Sequence, residues 1–341
     1  MISCGACLIG ALLLPFACGG PPAPQAPLSH APAASLSASA EIAPAESSAI
    51  TIPPTSSAPP PASAAPVSAC PKGMILVDGT FCPEVERTCL YEEKDNANHI
   101  RICHSFAHET RCKGKPEPRR FCIDEYEFPN VKGAHPPWLV SWYDGEAACQ
   151  AEGKRLCYES EWVTACEGPD HTPFPYGWDR DPTACNIDNT YVGPDVDRMY
   201  SGDRPVADAE LARLDQSVSS GALPGCVSGY GVRDLTGNFD EWVTRDAPAE
   251  AKSKWAGLKG GAWGHVRNAC RPVTTSHPPQ FTYYFIAFRC CADVPGAPPY
   301  APTRGEPKPS VAPKKLPPPP TPQGAPGPSP RKVPRGKRTH G

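Results

Sequence analysis

Two side chains in one loop could share a metal ion: His265 and Cys270 follow the glycine pair Gly260-Gly261. An imidazole and a thiolate can together hold a soft or borderline metal such as copper. Both residues also have plainer uses. A lone histidine in a loop is more often hydrogen-bonded or exposed than metal-bound. A cysteine in a cysteine-rich chain is more often half of a disulfide than a free thiolate. Asp240-Glu241 sets two carboxylates side by side, but neighbours in sequence rarely face one another across a glycosidic bond as an acid–base pair must. His277 and His265 have no spacing that favours an iron site of two histidines and a carboxylate. No Walker, Rossmann or Ser-His-Asp signature occurs.

A turn must hold these residues in place. Paired glycines let the backbone bend where a side chain would clash, and Trp263 supplies a large anchor just after them. Further on, Ile286-Ala-Phe-Arg-Cys290-Cys291 reads as a short apolar strand. Adjacent strand residues point to opposite faces, so Cys290 and Cys291 should bridge to two different elements. Gly73 to Gly79 alternates apolar residues and predicts a strand, and Phe121 to Phe128 reads as another, ended by Pro129. Asp144 can accept from the free amides of a helix start, with Glu146–Glu152 continuing the helix until Gly153 stops it. A second helix is expected over Glu159–Cys166, with Trp162, Ala165 and Cys166 on one face. The charged segment holding Cys82, Cys89, Cys103 and Cys112 predicts a loop-rich insert stapled by its own bridges. Residues 167–230 read as irregular, the kind of segment that bridges or ions hold.

The chain has 341 residues and 17 cysteines, of which Cys4, Cys7 and Cys18 lie in a leader. The remaining cysteines, from Cys70 on, are even in number and contain no C-x-x-C pair, and histidine is sparse. That pattern implies disulfides in an oxidising compartment rather than zinc. A net charge of -3 points neither to nucleic acid nor to an acidic partner. The 47 prolines concentrate at the two ends. Residues 1–18 form a leader whose run Leu8–Ala17 is too short to span a bilayer. Its end, Ala17-Cys18-Gly19, resembles a bacterial lipoprotein cleavage site, with Cys18 as the lipid attachment residue. No Lys or Arg precedes the run, and Pro15 stands where such sites usually carry Leu. Residues 19–69 are a Pro/Ala/Ser-rich spacer that cannot bury enough apolar surface to fold. Residues 295–341 form a Pro-rich tail with a basic end. Between them lie a Cys-rich part, 70–120, and a core part, 121–294, together long enough for one sizeable core.

Five motifs stand in order: Lys154-Arg-Leu-Cys-Tyr-Glu-Ser-Glu-Trp162, Pro175-Tyr-Gly-Trp178, Gly229-Tyr-Gly-Val-Arg-Asp-Leu-Thr-Gly-Asn-Phe-Asp-Glu-Trp242, Gly260-Gly-Ala-Trp263 and Ala287-Phe-Arg-Cys290. They resemble the sulfatase-modifying factor family, that of the formylglycine-generating enzyme, over roughly 120–292. The resemblance implies an α/β (α+β) fold: a single, disulfide-rich formylglycine-generating-enzyme-like domain, distantly C-type-lectin-like, with little regular secondary structure. It also implies that catalytic members hold copper(I) between two cysteines and oxidise a sulfatase cysteine to formylglycine. Counted from the glycine pair, the second of those cysteines is Cys270, the first position is occupied by His265, and Ala262 replaces the family's Ser.

The resemblance further implies a bridge between Cys149 and Cys290. Cys166 with Cys270 and Cys157 with Cys291 are candidate pairs, since spacing alone does not reveal connectivity. It implies a structural calcium ion at Asn186-Ile187, with Asp188 nearby, and a partial second match at Ser228–Gly231. Together these residues predict an exported, lipid-tethered protein on the outer surface of a bacterial membrane or in the periplasm. Its expected role is non-catalytic recognition of a peptide, glycan or envelope protein, with Trp242, Trp263 and Arg271 lining the groove. The alternative is a copper-dependent oxidoreductase using His265 and Cys270.

Overall fold

The computed structural model describes residues 69–95, 100–246, 255–264, 267–298 and 300, all within the unit Ser63–Gly341. The leader with Cys18, the spacer up to residue 68, the tail from residue 301, and His265 lie outside the described residues.

The chain enters on strand β1 (Met74–Phe81), then β2 (Val85–Glu86), β3 (Cys89–Asp95), β4 (Ile100–Phe106), β5 (Arg111–Cys112) and β6 (Glu117–Asp124). Helix α1 (Trp142–Ala151), β7 (Arg155–Leu156) and α2 (Glu159–Glu167) follow. After α3 (Val196–Met199) and α4 (Arg204–Leu214) come β8 (Asp240–Thr244), β9 (Ala256–Lys259), β10 (Val273–Thr274), β11 (Ile286–Phe288) and β12 (Cys290–Asp293). One four-stranded sheet has the order β1-β6-β12-β7 and a second β10-β9-β8-β11, in which β11 runs parallel to β8. The mixture of short strands and few helices is an α+β fold with little regular structure.

Helix α2 holds the two sheets together. All nine of its residues are buried. Trp162, Val163, Ala165 and Cys166 pack with Val77, Phe81, Phe121 and Ile123 of the first sheet and Val243 of the second. A helix apolar on one stripe and buried all round must satisfy its polar residues internally. Glu159 does so on Arg245, at 2.8 Å, and Glu161 on Arg155, through two 2.7 Å bonds.

Helix α1 starts a turn earlier than predicted, with Ser141 as its N-cap. Asp144 acts from inside the first turn, accepting from the Ser141 N–H at 2.9 Å in a reciprocal capping box. The predicted strand over Phe121–Phe128 is shifted to Glu117–Asp124, because its partner β1 begins at Met74, opposite Asp124, and offers no ladder beyond. The Ile286–Cys291 run splits into β11 and β12 in different sheets, with the buried Arg289 between them.

Two segments are more regular than expected. The Cys-rich insert contains the paired strands β2/β5 and β3/β4, each clamped by a bridge: Cys82–Cys112 and Cys89–Cys103. Within 167–230, read as irregular, lies α4: Pro205 stands in its first turn, and Ala207, Glu210, Leu211 and Leu214 make one buried face. The Cys185–Cys226 bridge ties the rest of that segment. Cys70–Cys122 fastens the chain entry to β6. Cys290 and Cys291, on opposite faces, reach Cys149 of α1 and Cys157.

Candidate functional site

The glycine pair makes a turn that only glycine fits. Gly260 has φ +88°, and a Cβ there would lie 2.7 Å from the Leu235 carbonyl oxygen; Gly261 has φ +71°. Asp240 Oδ1 accepts from the Gly261 N–H at 2.9 Å. The buried Asn268 closes the loop, donating to the Ala262 carbonyl at 2.8 Å and accepting from Arg180 at 3.1 Å. Cys270 thereby arrives against α2, where its sulfur lies 2.04 Å from that of Cys166. Bonded to Cys166 and fully buried, it is no free thiolate. The role of Cys270 as a catalytic or copper-binding thiolate is corrected on that ground. Copper(I) held between two soft ligands would need that sulfur deprotonated and open, so the described residues do not fit such an ion.

The residue after Cys166 organises what surrounds the bridge. Glu167, 1 % exposed, is met by Arg271 at 2.6 and 2.7 Å and by Arg87 of the insert at 2.5 Å. His171 Nδ1 sits 3.5 Å away, an ion-pair distance without hydrogen-bond alignment. Arg87 also donates to Thr110 and to the carbonyls of His171 and Thr172, and Arg271 donates to the Cys82 carbonyl at 2.7 Å. The insert is therefore ionically locked onto the segment that carries the bridge. Burial pushes the Glu167 carboxyl up, but His171 and the two guanidiniums outweigh it and hold the pKa at about 2. A carboxylate whose folded pKa lies below its unfolded value of about 4.3 stabilises fully above that value and less as pH falls through 2. The stability difference between wild type and Glu167→Gln should thus shrink by up to about 3 kcal/mol between pH 5 and pH 2 in urea unfolding. An unchanged difference would contradict the ion cluster. Nearby, burial brings the Lys259 ammonium down to about 8; its Nζ donates to the Arg271 carbonyl at 2.9 Å and lies over Trp162.

Trp242, Trp263 and Arg271 do not line a groove. Trp242 is 1 % exposed and donates Nε1 to the Val140 carbonyl at 3.0 Å, while Trp263 is 2 % exposed and packs edge-on to Phe239. Both are core, because β8 and the turn after β9 face inward between layers. Arg271 is engaged by Glu167 and Cys82 and covers the Phe81 ring.

The expected calcium ligands are also engaged. Asn186 donates to the Gln216 carbonyl and to Asn238 and accepts from Asn189 at 2.9 Å. Asp188 is paired with Arg180, whose Nη2 lies 2.5 Å away. A guanidinium on the carboxylate opposes a dication at Asp188 itself. Ile187 is buried beside the Cys185–Cys226 bridge, and no described cluster of three or more His, Cys, Asp or Glu could hold a metal.

The recurring motif residues build a buried polar network that the sequence did not reveal as such. Arg289 makes a bidentate pair with Glu241 at 2.6 and 2.7 Å, both side chains at most 1 % exposed, and Glu241 also accepts from Trp162 Nε1. Asn238 donates to Glu127, which Ser220 also meets at 3.1 Å. Burial, then the charges of Asp234 and Glu241, drive the Glu127 carboxyl far up; burial likewise brings Asp234 to about 6. Asp240 and Glu241 face different partners, so they are no acid–base pair. His277 stacks on Phe281 at 4.0 Å. Arg87 and Glu167 had no sequence signal; each is a lone charge without a motif.

An α+β domain carrying the five motifs in this order is of the formylglycine-generating-enzyme type. The family profile "Sulfatase-modifying factor enzyme 1-like domain" matches residues 113–294, more than half of the chain, and the chain belongs to that family. It is 26% identical over 176 residues to the formylglycine-generating enzyme of Mus musculus, covering 47% of this chain and 44% of that one. It is 28% identical over 183 residues to the "Inactive C-alpha-formylglycine-generating enzyme 2" of Bos taurus, covering 52% and 54%. The chain thus spans about half the length of the curated relatives it matches. Among solved structures, PvdO from Pseudomonas aeruginosa overlays with a TM-score of 0.39 at 17% identity, covering 67% of this chain and 96% of that one. Treponema denticola variable protein 1 overlays with a TM-score of 0.37 at 14% identity, covering 64% and 99%.

Proposed function

We propose that this is a non-catalytic binding module of the sulfatase-modifying factor family, exported and tethered through Cys18, that recognises a peptide, glycan or envelope protein. The observation that carries it is the buried Cys166–Cys270 bridge at the position where the family's chemistry needs a thiolate. The seven bridges support an oxidising, extracytoplasmic location. Among the described residues no helix is long and apolar enough to cross a membrane, and the tether is assigned to Cys18 from the leader's sequence alone. The binding surface is assigned to exposed aromatic residues such as Tyr191 and Tyr200, now that both groove tryptophans prove to be core.

Alkylation under denaturing, non-reducing conditions, mapped by peptide mass, should leave Cys166 and Cys270 unlabelled. Copper(I) titration of the same protein should show no thiolate-to-copper band. A labelled Cys270 with one copper bound per chain would defeat the proposal and return the oxidoreductase alternative with His265.

A further inference from the structure

Six large apolar side chains are exposed among the described residues, and three of them, Tyr191, Val196 and Tyr200, fall in one segment. They are not scattered. The Tyr200 hydroxyl donates to the Thr282 carbonyl at 2.5 Å, which fixes its ring beside the 281–283 segment. There Phe281 and Tyr283, both part-exposed, stack with centroids 5.7 Å apart. Val192, next to Tyr191 in the chain, packs with Tyr283 in one cluster, and burial pushes the Tyr283 hydroxyl up. Exposed tyrosines beside a stacked phenylalanine–tyrosine pair are the kind of surface that takes polyproline II segments, whose ridges fit between rings at low entropy cost.

The chain carries a matching ligand. In Lys314-Lys-Leu-Pro317-Pro-Pro-Pro320 a lysine and two prolines recur every third residue. Polyproline II has three residues per turn, so Lys314, Pro317 and Pro320 share one edge. Charge selects this segment over the other Pro-rich end. Residues 191–214 hold five carboxylates against three guanidiniums, and residues 301–341 hold nine Lys or Arg against Glu306 alone, whereas residues 19–69 contain no Lys or Arg. Reach is sufficient. The fourteen residues between Tyr300 and Lys315 span roughly 45 Å at about 3.1 Å each, comparable to the ~45 Å diameter of a domain of this length.

We propose that the face formed by Tyr191, Tyr200, Phe281 and Tyr283 docks the chain's own Lys314–Pro320 segment as a polyproline II helix. The inference stands apart from the copper question, since it needs neither a free thiol nor its absence.

Trypsin reads the docking directly on the full chain. Cleavage of the Lys315–Leu316 bond should run about tenfold slower than cleavage of Arg335–Gly336 in the same tail, because a docked site is cut only from its open fraction. Tyr191→Ala, at a side chain 67% exposed, should bring the two rates together without altering the circular dichroism spectrum. An excess of a synthetic peptide of residues 312–322 should do the same to the wild type. Equal rates in the wild type, or protection that survives Tyr191→Ala, would overturn the proposal. So would protection that grows with protein concentration, which would assign the face to the tail of a second copy.

Discussion

Removing both bridges of the Cys290-Cys291 pair, as Cys149→Ala/Cys290→Ala with Cys157→Ala/Cys291→Ala, is expected to cost more than the two single removals summed. Cys149 and Cys290 are 141 residues apart, yet with Cys157–Cys291 intact their bond closes a loop of only about ten residues through that neighbouring bridge. The same holds in reverse. Each single removal should therefore lose only about 2.7 kcal/mol of loop-closure entropy. Once one bond is gone, the other closes a loop of about thirty residues through Cys166–Cys270, so the double removal should cost about 6.4 kcal/mol. The excess over additivity, about 1 kcal/mol, is measurable in a double-mutant cycle by chemical denaturation. A coupling of zero or of opposite sign would show that the two bonds do not share this short circuit.

The second large effect is at Arg289→Met. The guanidinium is fully buried and holds both oxygens of Glu241. Its loss leaves a carboxylate inside the core with only the Trp162 N–H to solvate it. Breaking one half of such a pair typically costs 3–5 kcal/mol, about the effect expected here in the denaturant midpoint. Adding Glu241→Gln should recover a large part of that loss, because the buried charge goes with it. If the double variant were as unstable as the sum of the singles, the pair would not be the electrostatic unit its geometry indicates.

Both expectations rest on what the family motifs do inside the molecule. Asp234, Asn238 and Glu241 come from one motif, Arg289 and Glu127 from distant parts of the chain, and the five meet in one buried network. Residues of this kind look functional on a linear reading because polar side chains in a recurring pattern suggest chemistry. Buried and mutually hydrogen-bonded, they are scaffold. The tryptophans mislead in the same way. Trp242 and Trp263 flank the motif glycines, but whether an aromatic anchors a groove or a core depends on which layer lies over it.

What the sequence determined by itself was local or combinatorial. The glycine pair, the stop at Gly153 and the helical face of Trp162 and Cys166 follow from short-range sterics and hydrogen bonding, which need no knowledge of the rest of the chain. The family, and with it the fold, followed from five motifs in order. Tertiary structure decided the rest. It turned Cys270 toward Cys166, brought Arg87 of the insert onto Glu167, buried both tryptophans and left Tyr191 and Tyr200 outside. Those outcomes depend on contacts between residues up to a hundred or more positions apart, and no periodicity within a short window encodes such a meeting.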